Sequence, residues 1–431
     1  MPIRLDYGKE GLTLDLPDAL ADVLDILPAP ALPDSQDAVD RAVRNPPDTL
    51  PLETLARGKR RPCVVVSDLT RPVPNSVLLP PVLDALQRAG VTPKEVTILF
   101  ATGLHRPMSE PEIAFSLGPE ITSKCRIVNH VGKDPRTNLL VGDTSTGVPA
   151  WLDRHYVESD LRILVGLVEP HVMAGYSGGA KSVAIGLSTL ETIRHLHGPR
   201  IMEHPLTRAG QLDGNLLQRE LREIHDLAPA QFAINVTLSR ERQLTGVFSG
   251  TVHGAHRRAV EFIERFVRIR VPIPYDVVVT TNAGFPLDVN FYQCVKGMLT
   301  AARITRPGGT IVMAARCPEG LGSAEFAELM TSFASSHDAM QTILNPEFFC
   351  LDQWAVGQVC QVRRRAEILF YTEGIARDVL EKCLVRPVAS LKDGLRLALE
   401  RHGPNARVAV IPKGPYVNAE LEADDAAAGL A

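Results

Sequence analysis

The sequence predicts an α/β protein with two domains, each built on a largely parallel sheet, and an active-site cleft between them. Three runs of β-branched and other apolar residues, at 64–66, 96–100 and 163–168, support this prediction for the first domain. Continuous apolar runs of this length are typical of parallel strands that are buried on both faces. A helical pattern at 78–89, ended by Gly90, separates the first two runs, as the connection between parallel strands requires.

A second set of strand-like runs predicts the second domain. These runs lie at 276–280, 309–313, 368–371 and 408–411. The Pro-Ile-Pro segment at 272–274 reads as a linker between the two parts. We therefore expect an N-terminal α/β domain over 1–270, completed by 401–431, and a C-terminal α/β domain over 275–400.

Composition and charge exclude several classes of protein. The chain has 431 residues, of which 45% are hydrophobic and 22% charged, and its formal net charge is -4. These values argue against disorder across the chain, and a nucleic-acid binder would need a basic excess. Every apolar run is shorter than the ~20 residues of a membrane helix. Residues 1–7 lack the apolar core of a signal peptide, so we expect a cytoplasmic protein.

The cysteines do not predict a disulfide framework or a zinc site. There are seven of them, and no two have the CxxC spacing. We expect most of them to be small buried residues in a reducing compartment.

Polar side chains follow each predicted strand of the first domain. Asp68 and Arg71 follow the first strand, His105 follows the second, and His171 follows the third. Ligands of open α/β sheets collect at the carboxyl ends of strands, so we expect these four side chains to share one crevice. Taken alone, Asp68 and Arg71 fit a strand-end turn with a surface ion pair better. Two imidazoles in one crevice could act as paired acid and base.

The glycine-rich segment 175–182, Gly-Tyr-Ser-Gly-Gly-Ala-Lys-Ser, joins a strand end to a helix start. Such a turn can place backbone N–H groups around an anion, which predicts a phosphate site. A tight turn that needs glycine only for packing is the alternative. The spacing is not that of a Walker A loop, because no glycine directly precedes Lys181.

Two further features admit both a functional and a structural interpretation. His197 could bind a metal or be a solvated helix histidine, and no fixed zinc spacing accompanies it. Tyr292, Gln293 and Lys296 share one helical face, which could hold a small anion or simply face water.

Taken together, these segments resemble the nickel-dependent lactate racemase family, whose members are 2-hydroxy acid racemases and epimerases. The segments run in family order along most of the chain. They are Asp68-x-x-Arg71-Pro72, Gly103-Leu104-His105-Arg106, Glu169-Pro170-His171, Gly175-x-Ser177-Gly178-Gly179-x-Lys181, His197 and Tyr292-Gln293-x-x-Lys296-Gly297-Met298.

The resemblance implies a cofactor and a set of site residues. The cofactor is a nickel pincer nucleotide, Ni(II) in a pyridinium-3,5-bisthiocarboxylic acid mononucleotide, covalently tethered to Lys181 and with His197 as the protein ligand to nickel. His105 and His171 correspond to the two acid/base groups. The remaining cofactor-binding positions are Asp68, Thr70, Ser177, Gly178 and Gly179. The substrate-binding positions are Arg71, Tyr292, Gln293, Lys296 and Trp354. The first domain would then hold the cofactor, and the second would contribute to substrate binding.

The implied activity is that of an isomerase acting by reversible hydride transfer. Loss of a hydride from C2 avoids a costly carbanion beside the carboxylate, and two histidines exchange the hydroxyl proton on opposite faces. Partners would be a small 2-hydroxy acid and the enzymes that build the cofactor, namely a carboxylase/hydrolase, a sulfur transferase and a nickel insertase. Neither nucleic acid nor a membrane is implied.

Two departures from the family pattern, Cys294 and Ala180, leave the identity of the 2-hydroxy acid open. Two other functions stay open as well. One is a phosphate-binding α/β enzyme of the nucleotide kinase or hydrolase type, and the other is a non-catalytic nickel-binding relative.

Overall fold

The computed structural model describes residues 2–16, 21–239, 241–345 and 347–422. The chain divides into two compact units, one formed by 28–266 and the other by 1–27 together with 267–431. We call the first the inserted unit and the second the split unit.

The strands are β1 (Pro2–Leu5), β2 (Leu12–Asp15), β3 (Ala21–Val23), β4 (Pro62–Ser67), β5 (Thr97–Ala101), β6 (Arg126–Asn129), β7 (Asn138–Asp143), β8 (Pro149–Asp153), β9 (Leu161–Leu167), β10 (Pro170–His171), β11 (Gly175–Tyr176), β12 (Phe232–Leu238), β13 (Leu244–Gly250), β14 (Arg268–Val271), β15 (Tyr275–Thr281), β16 (Thr305–Ala314), β17 (Ala366–Tyr371), β18 (Arg386–Pro387), β19 (Val408–Ile411) and β20 (Asn418–Leu421).

The α-helices are α1 (Ser35–Arg44), α2 (Leu52–Ala56), α3 (Asn75–Arg88), α4 (Glu110–Leu117), α5 (Pro119–Lys124), α6 (Arg154–Val157), α7 (Lys181–Ala184), α8 (Leu190–Leu196), α9 (Pro199–Met202), α10 (Leu216–Leu227), α11 (Val252–Val267), α12 (Phe291–Ile304), α13 (Ala324–Ser332), α14 (Ser336–Ile343), α15 (Gln353–Arg365), α16 (Arg377–Leu380) and α17 (Leu391–His402). Short 3-10 helices cover Pro93–Glu95, Pro135–Thr137 and Gly414–Tyr416. Among the described residues, none of these helices has both the length and the apolar character needed to cross a bilayer.

The inserted unit is built on a sheet with the strand order β13-β12-β9-β4-β5-β6, in which only the β12–β13 pair is antiparallel. Val64 lies opposite Ile98 on one neighbour and Ile163 on the other, and all three are fully buried. The buried face of α3 packs on this layer through residues that include Leu78 and Val82. Burial on both faces explains why these strands are continuous apolar runs in the sequence.

This strand order brings three polar loops to one edge of the sheet. β4 lies between β9 and β5, and the three strands run parallel. Their carboxyl ends therefore lie side by side, as expected from the sequence. Asp68, His105 and the Glu169–His171 segment all follow these ends.

The split unit has its own parallel sheet, with the strand order β18-β17-β16-β15-β19-β3. β19, which is Val-Ala-Val-Ile, is buried along its whole length between β15 and β3. α12 follows β15, and its first turn is capped by the Asn290 side chain, which accepts from the backbone N–H of Gln293. The α/β class with largely parallel sheets is thus confirmed in both units.

The two units divide the chain differently from the domains expected from the sequence. We placed the first residues and 401–431 with the N-terminal domain, but β3 and β19 pair within the sheet of the split unit. The reason is physical: an apolar strand such as 408–411 must be covered on both edges, and β15 and β3 supply these partners. Residues 423–431 lie outside the described residues.

Candidate active site

Asp68 and His105 form a hydrogen-bonded pair across two strand ends. The His105 Nδ1 lies 2.6 Å from Asp68 Oδ2, and the backbone N–H and hydroxyl of Thr70 donate to Asp68 Oδ1 at 3.1 and 2.5 Å. Burial alone would raise the pKa of the Asp68 carboxyl, but the bonds from His105 and Thr70 and the charges of His105 and Arg71 lower it overall. Asp68 is therefore a carboxylate that orients His105. The resemblance implied only that Asp68 is a cofactor-binding position.

Arg71 and Glu169 form a second pair, which joins the ends of β4 and β9. Arg71 Nε lies 3.2 Å from Glu169 Oε1, and each side chain is only 16% exposed. Arg71 Nη1 also donates to the Thr70 carbonyl at 3.1 Å. The guanidinium is thus held at Nε by Glu169 and at Nη1 by the Thr70 carbonyl.

His171 lies in a short hairpin in which it pairs with Gly175. Its Nδ1 accepts from the backbone N–H groups of Met173 at 3.3 Å and Ala174 at 3.1 Å. Gly175 has φ +74, and a Cβ there would lie 2.3 Å from the Gln211 carbonyl oxygen. The hairpin therefore requires glycine at 175 and fixes the orientation of the imidazole ring.

Lys181, the first residue of α7, has a strongly perturbed amine. Burial, followed by the positive charge of Arg71, lowers the pKa of Lys181 to about 7, against the opposing charges of Asp68 and Glu169. All three charged groups therefore lie within electrostatic range of the amine. With this pKa, about one half of the Lys181 amine is neutral and nucleophilic at neutral pH, whereas an ordinary lysine is almost fully protonated.

His197 follows the last residue of α8 and is half-buried. Its Nδ1 lies 2.9 Å from the Ile193 carbonyl oxygen, to which it donates. Burial, opposed by this hydrogen bond and aided by the charge of Lys181, lowers the pKa of His197 to about 4. The neutral ring then carries its lone pair on Nε2, which is the form that binds a metal.

In the glycine-rich turn at 177–179, the Ser177 hydroxyl and the Gly179 N–H form hydrogen bonds within the protein. The Ser177 hydroxyl donates to the Leu167 carbonyl at 2.8 Å, and the Gly179 N–H donates to Asn235 Oδ1 at 3.2 Å. Gly178 has φ +78, and a Cβ there would lie 2.7 Å from Asn235 Oδ1. Packing accounts for these positions, so a phosphate role for Ser177, Gly178 and Gly179 stays a prediction.

The His256 side chain packs against the same turn. Its Nε2 donates to the Ser177 carbonyl at 2.9 Å, and a Cβ on Gly179 would lie 2.7 Å from its ring. Burial lowers the pKa of His256 to about 4, so the ring is neutral. Asn235 and His256 lie 56 and 79 residues from their partners in the turn, and no sequence pattern indicated either.

The predicted substrate-binding residues of the split unit form two contacting pairs. Tyr292 Oη accepts from Trp354 Nε1 at 3.0 Å, and Lys296 Nζ donates to Gln293 Oε1 at 2.6 Å. Burial is the largest cause that raises the pKa of Tyr292. The structure thus brings Trp354 to Tyr292, and a substrate-binding role for either stays a prediction.

Cys294 occupies the buried side of α12. Its Sγ lies 3.7 Å from Cys317 Sγ, and both thiols are free and buried. Burial, together with the hydrogen bond to Cys317, raises the pKa of the Cys294 thiol well above its usual value. Cys294 is therefore a packing residue here and not a reactive thiol.

A cluster of His225, Asp226 and His253 has the composition of a metal site. Asp226 Oδ1 lies 2.8 Å from His225 Nδ1 and 2.9 Å from His253 Nε2. However, the Ala230 N–H donates to His225 Nε2 at 3.1 Å, so the ring hydrogen is on Nδ1. A metal bound to Nδ1 would require the ring hydrogen on Nε2, where it would face the Ala230 N–H. We therefore interpret the cluster as a structural hydrogen-bond network.

Comparison with known proteins identifies the family. The family model for the lactate racemase N-terminal domain matches residues 7–210, and the one for the lactate racemase C-terminal domain matches residues 271–418. The chain belongs to the lactate racemase family. A lactate racemase from Thermoanaerobacterium thermosaccharolyticum is 30% identical over 422 residues, 96% of this chain and 98% of the relative. One from Lactiplantibacillus plantarum is 31% identical over 381 residues, 88% and 89% of the two chains.

Solved structures agree with this assignment. The lactate racemase apoprotein from T. thermosaccharolyticum matches with a TM-score of 0.91 and 29% identity, covering 97% of this chain and 100% of that chain. A Thermotoga maritima protein matches with a TM-score of 0.68 and 16% identity, covering 90% and 97%, and it shows a shared fold alone.

Proposed function

We propose that this protein is a racemase of a lactate-like 2-hydroxy acid. One observation carries the proposal: the side chains that such a reaction needs follow neighbouring strand ends at one sheet edge, where they include two pairs in direct contact. Asp68 is hydrogen-bonded to His105, and Glu169 forms an ion pair with Arg71. His171 lies two residues after Glu169 in the sequence. Both long relatives described above are lactate racemases, which supports the same activity.

The residues at this edge fit a nickel pincer nucleotide. Lys181 offers an amine with a pKa of about 7, which suits a bond to the cofactor's thiocarboxylate carbon. His197 offers a neutral imidazole whose Nε2 lone pair would hold the Ni(II) ion. When bound, the nucleotide would supply a hydride acceptor, which neither amino-acid side chains nor backbone can provide.

The chain's own residues would handle the proton and the carboxylate. His105, backed by the Asp68 carboxylate, is suited to take the hydroxyl proton of the substrate. The Arg71 guanidinium is suited to hold the substrate carboxylate through Nη2 and the Nη1 hydrogen that does not bond to Thr70. Roles for Tyr292, Gln293 and Lys296 in substrate binding remain predictions.

Two other functions are less well supported. A nucleotide kinase or hydrolase would need a phosphate cradle, but the Gly179 N–H and the Ser177 hydroxyl already have partners within the protein. A non-catalytic nickel-binding relative would need Lys181 and His197 but not the Asp68–His105 pair.

The decisive experiment measures interconversion of enantiomers. Protein produced together with the cofactor-building enzymes is incubated with single enantiomers of a panel of 2-hydroxy acids, and chiral chromatography follows the products. We expect at least one acid to be racemised, with Lys181→Ala inactive and Lys124→Ala, an exposed lysine paired with Glu120, active. Failure of nickel-loaded protein on every acid would refute the racemase proposal. Nucleotide hydrolysis with Mg²⁺ would favour the kinase or hydrolase alternative.

A further inference from the structure

The turn that carries His171 is held by a second segment of the inserted unit, residues 210–218. Three successive backbone carbonyls of the turn accept hydrogen bonds from this segment. They are Met173 from Asn215 Nδ2 at 2.8 Å, Ala174 from Gln218 Nε2 at 2.6 Å, and Gly175 from the Gly210 N–H at 3.0 Å. Asn215 and Gln218 are only 2% and 3% exposed. Two buried amide side chains therefore donate to the backbone of this turn.

Asn215 and His171 bind opposite sides of one peptide group. The Met173 carbonyl and the Ala174 N–H belong to the same trans peptide, so they point in opposite directions. The N–H donates to His171 Nδ1 at 3.1 Å, and the carbonyl accepts from Asn215 Nδ2. A hydrogen bond to the carbonyl fixes the plane of the peptide and strengthens the hydrogen bond that its N–H donates. Asn215 therefore acts on the imidazole ring through this peptide.

The Asn215 side chain has two further contacts. Its Nδ2 also donates to the Gln211 carbonyl at 2.9 Å, and this oxygen lies against Gly175, the hairpin partner of His171. Its Oδ1 accepts from the Gln218 N–H at 3.2 Å and so caps α10. Both Nδ2 hydrogens and the oxygen are thus in use. One side chain ends the helix and holds both sides of the hairpin.

We propose that Asn215 is a positioning residue for His171, with Gln218 in a supporting role. The Asn215 amide holds the 173–174 peptide so that its N–H keeps the ring in one orientation. His171 has a further interaction besides its two bonds to the turn, so loss of the amide should loosen the ring and not release it. The part of His171 in proton exchange rests on the proposed racemase function, whereas its orientation by Asn215 does not.

Substitutions at 215 separate this role from helix capping. Asparagine, aspartate and serine cap helices about equally well, so Asn215→Ser and Asn215→Asp keep the cap but lose the amide that donates to Met173. A capping role alone predicts that both variants behave as the unaltered protein does. Serine is uncharged, so an effect that both variants share does not come from an added charge. The control is Asp34→Asn, which exchanges a carboxylate and an amide at the exposed cap of α1.

The first test observes the ring in apoprotein. Two-bond ¹H–¹⁵N correlation spectra of ¹⁵N-histidine-labelled protein give the chemical shift of each ring nitrogen, and His105→Gln and His171→Gln identify the two rings by subtraction. In both variants at 215 we expect the His171 Nδ1 signal to move towards that of a nitrogen without a hydrogen bond. The His105 signals should stay in place, and Asp34→Asn should move neither ring. An unmoved His171 Nδ1 signal in folded Asn215→Ser would overturn the inference.

A third variant keeps the test decisive if neither variant at 215 folds. Gln218→Met removes the second amide, but the Ala174 carbonyl keeps its hydrogen bond from the Tyr176 N–H at 2.8 Å. We therefore expect the His171 Nδ1 signal to move in the same direction by a smaller amount. No movement would remove Gln218 from the arrangement, and it would overturn the whole inference if both variants at 215 are unfolded.

The second test measures racemisation by protein loaded with the cofactor. Misplacement of a reacting group by about 1 Å can cost about 10²-fold in rate. The further interaction of His171 limits its movement, so we expect kcat to fall about tenfold in Asn215→Ser and to stay unchanged in Asp34→Asn. A full kcat in folded Asn215→Ser would overturn the positioning role. If the unaltered loaded protein racemises nothing, the proposed function fails, whereas the ring signals of the apoprotein still decide whether Asn215 orients His171.

Discussion

Replacing Arg71 by glutamine should raise the pKa of Lys181. Burial is the largest cause that lowers the pKa of Lys181, and the positive charge of Arg71 is the next largest. The substitution removes this positive charge and also leaves Glu169 without its ion-pair partner. Both changes favour the ammonium form, so they act in the same direction.

The size of the effect follows from the shift in the intact site. The pKa of Lys181 falls from 10.5 to about 7, which corresponds to ~5 kcal/mol between the two protonation states as an upper bound. Burial is the larger cause, so we expect Arg71→Gln to restore about one pKa unit. The neutral fraction at neutral pH would then fall from about one half to about one tenth.

Competitive acylation provides the assay. A limiting amount of an amine-reactive ester is added at a series of pH values, and peptide mass spectrometry gives the extent of reaction at each lysine. The midpoint for Lys181 should move upward in Arg71→Gln but not in Arg88→Gln, which removes an arginine paired with Glu53. Lys124, whose pKa is raised by its bond to Glu120, is the internal reference.

Two outcomes would refute this reasoning. If the pH midpoint for acylation of Lys181 equals that of an ordinary lysine, burial and Arg71 do not lower the pKa of Lys181. A downward shift in Arg71→Gln would show that Arg71 acts on Lys181 by some means other than its charge.

Three further predictions follow from single contacts. The pKa of Asp68 is lower in the folded protein than the 3.8 of an unfolded chain. The Asp68 carboxylate therefore stabilises the fold fully above pH 3.8, and this stabilisation is lost as the pH falls through the pKa of the folded state. Asp68→Asn should therefore lower the free energy of unfolding by about 1–3 kcal/mol at neutral pH, and urea titrations should show the difference shrinking in acid. Gly178→Ala should cost about 1–3 kcal/mol of stability, and clearly more than Gly147→Ala, since Gly147 has a similar φ of +81 but open space around it; equal urea midpoints would contradict this. In loaded protein, His197→Ala should lose nickel by metal analysis while the cofactor mass on Lys181 remains, and retention of nickel would remove His197 as a ligand.

The sequence was sufficient to predict the sheet edge that carries the site. Runs such as Val64–Val66 are apolar throughout because both faces are buried, and polar residues resume where each strand leaves the core. The positions of Asp68, His105 and His171 at neighbouring carboxyl ends followed from this pattern.

The contacts that set the chemistry could not be predicted in the same way. The Asp68–His105 bond joins two loops 37 residues apart, and Asn235 reaches the glycine turn across 56 residues. Neither has a local sequence pattern, because both depend on which strands become neighbours. The hairpin around His171 is too short to give an alternating pattern, so the sequence predicted a single turn there.

The arrangement of β3 and β19 has a consequence for biosynthesis. Residues 28–266 are complete long before the ribosome reaches 408–411, so this segment can adopt its final form while translation continues. Residues 21–23 must instead wait until 408–410 have been made, since these supply the strand partner that the described part of the chain shows for them. Premature termination before residue 408 would therefore leave a finished inserted unit attached to an unclosed second sheet.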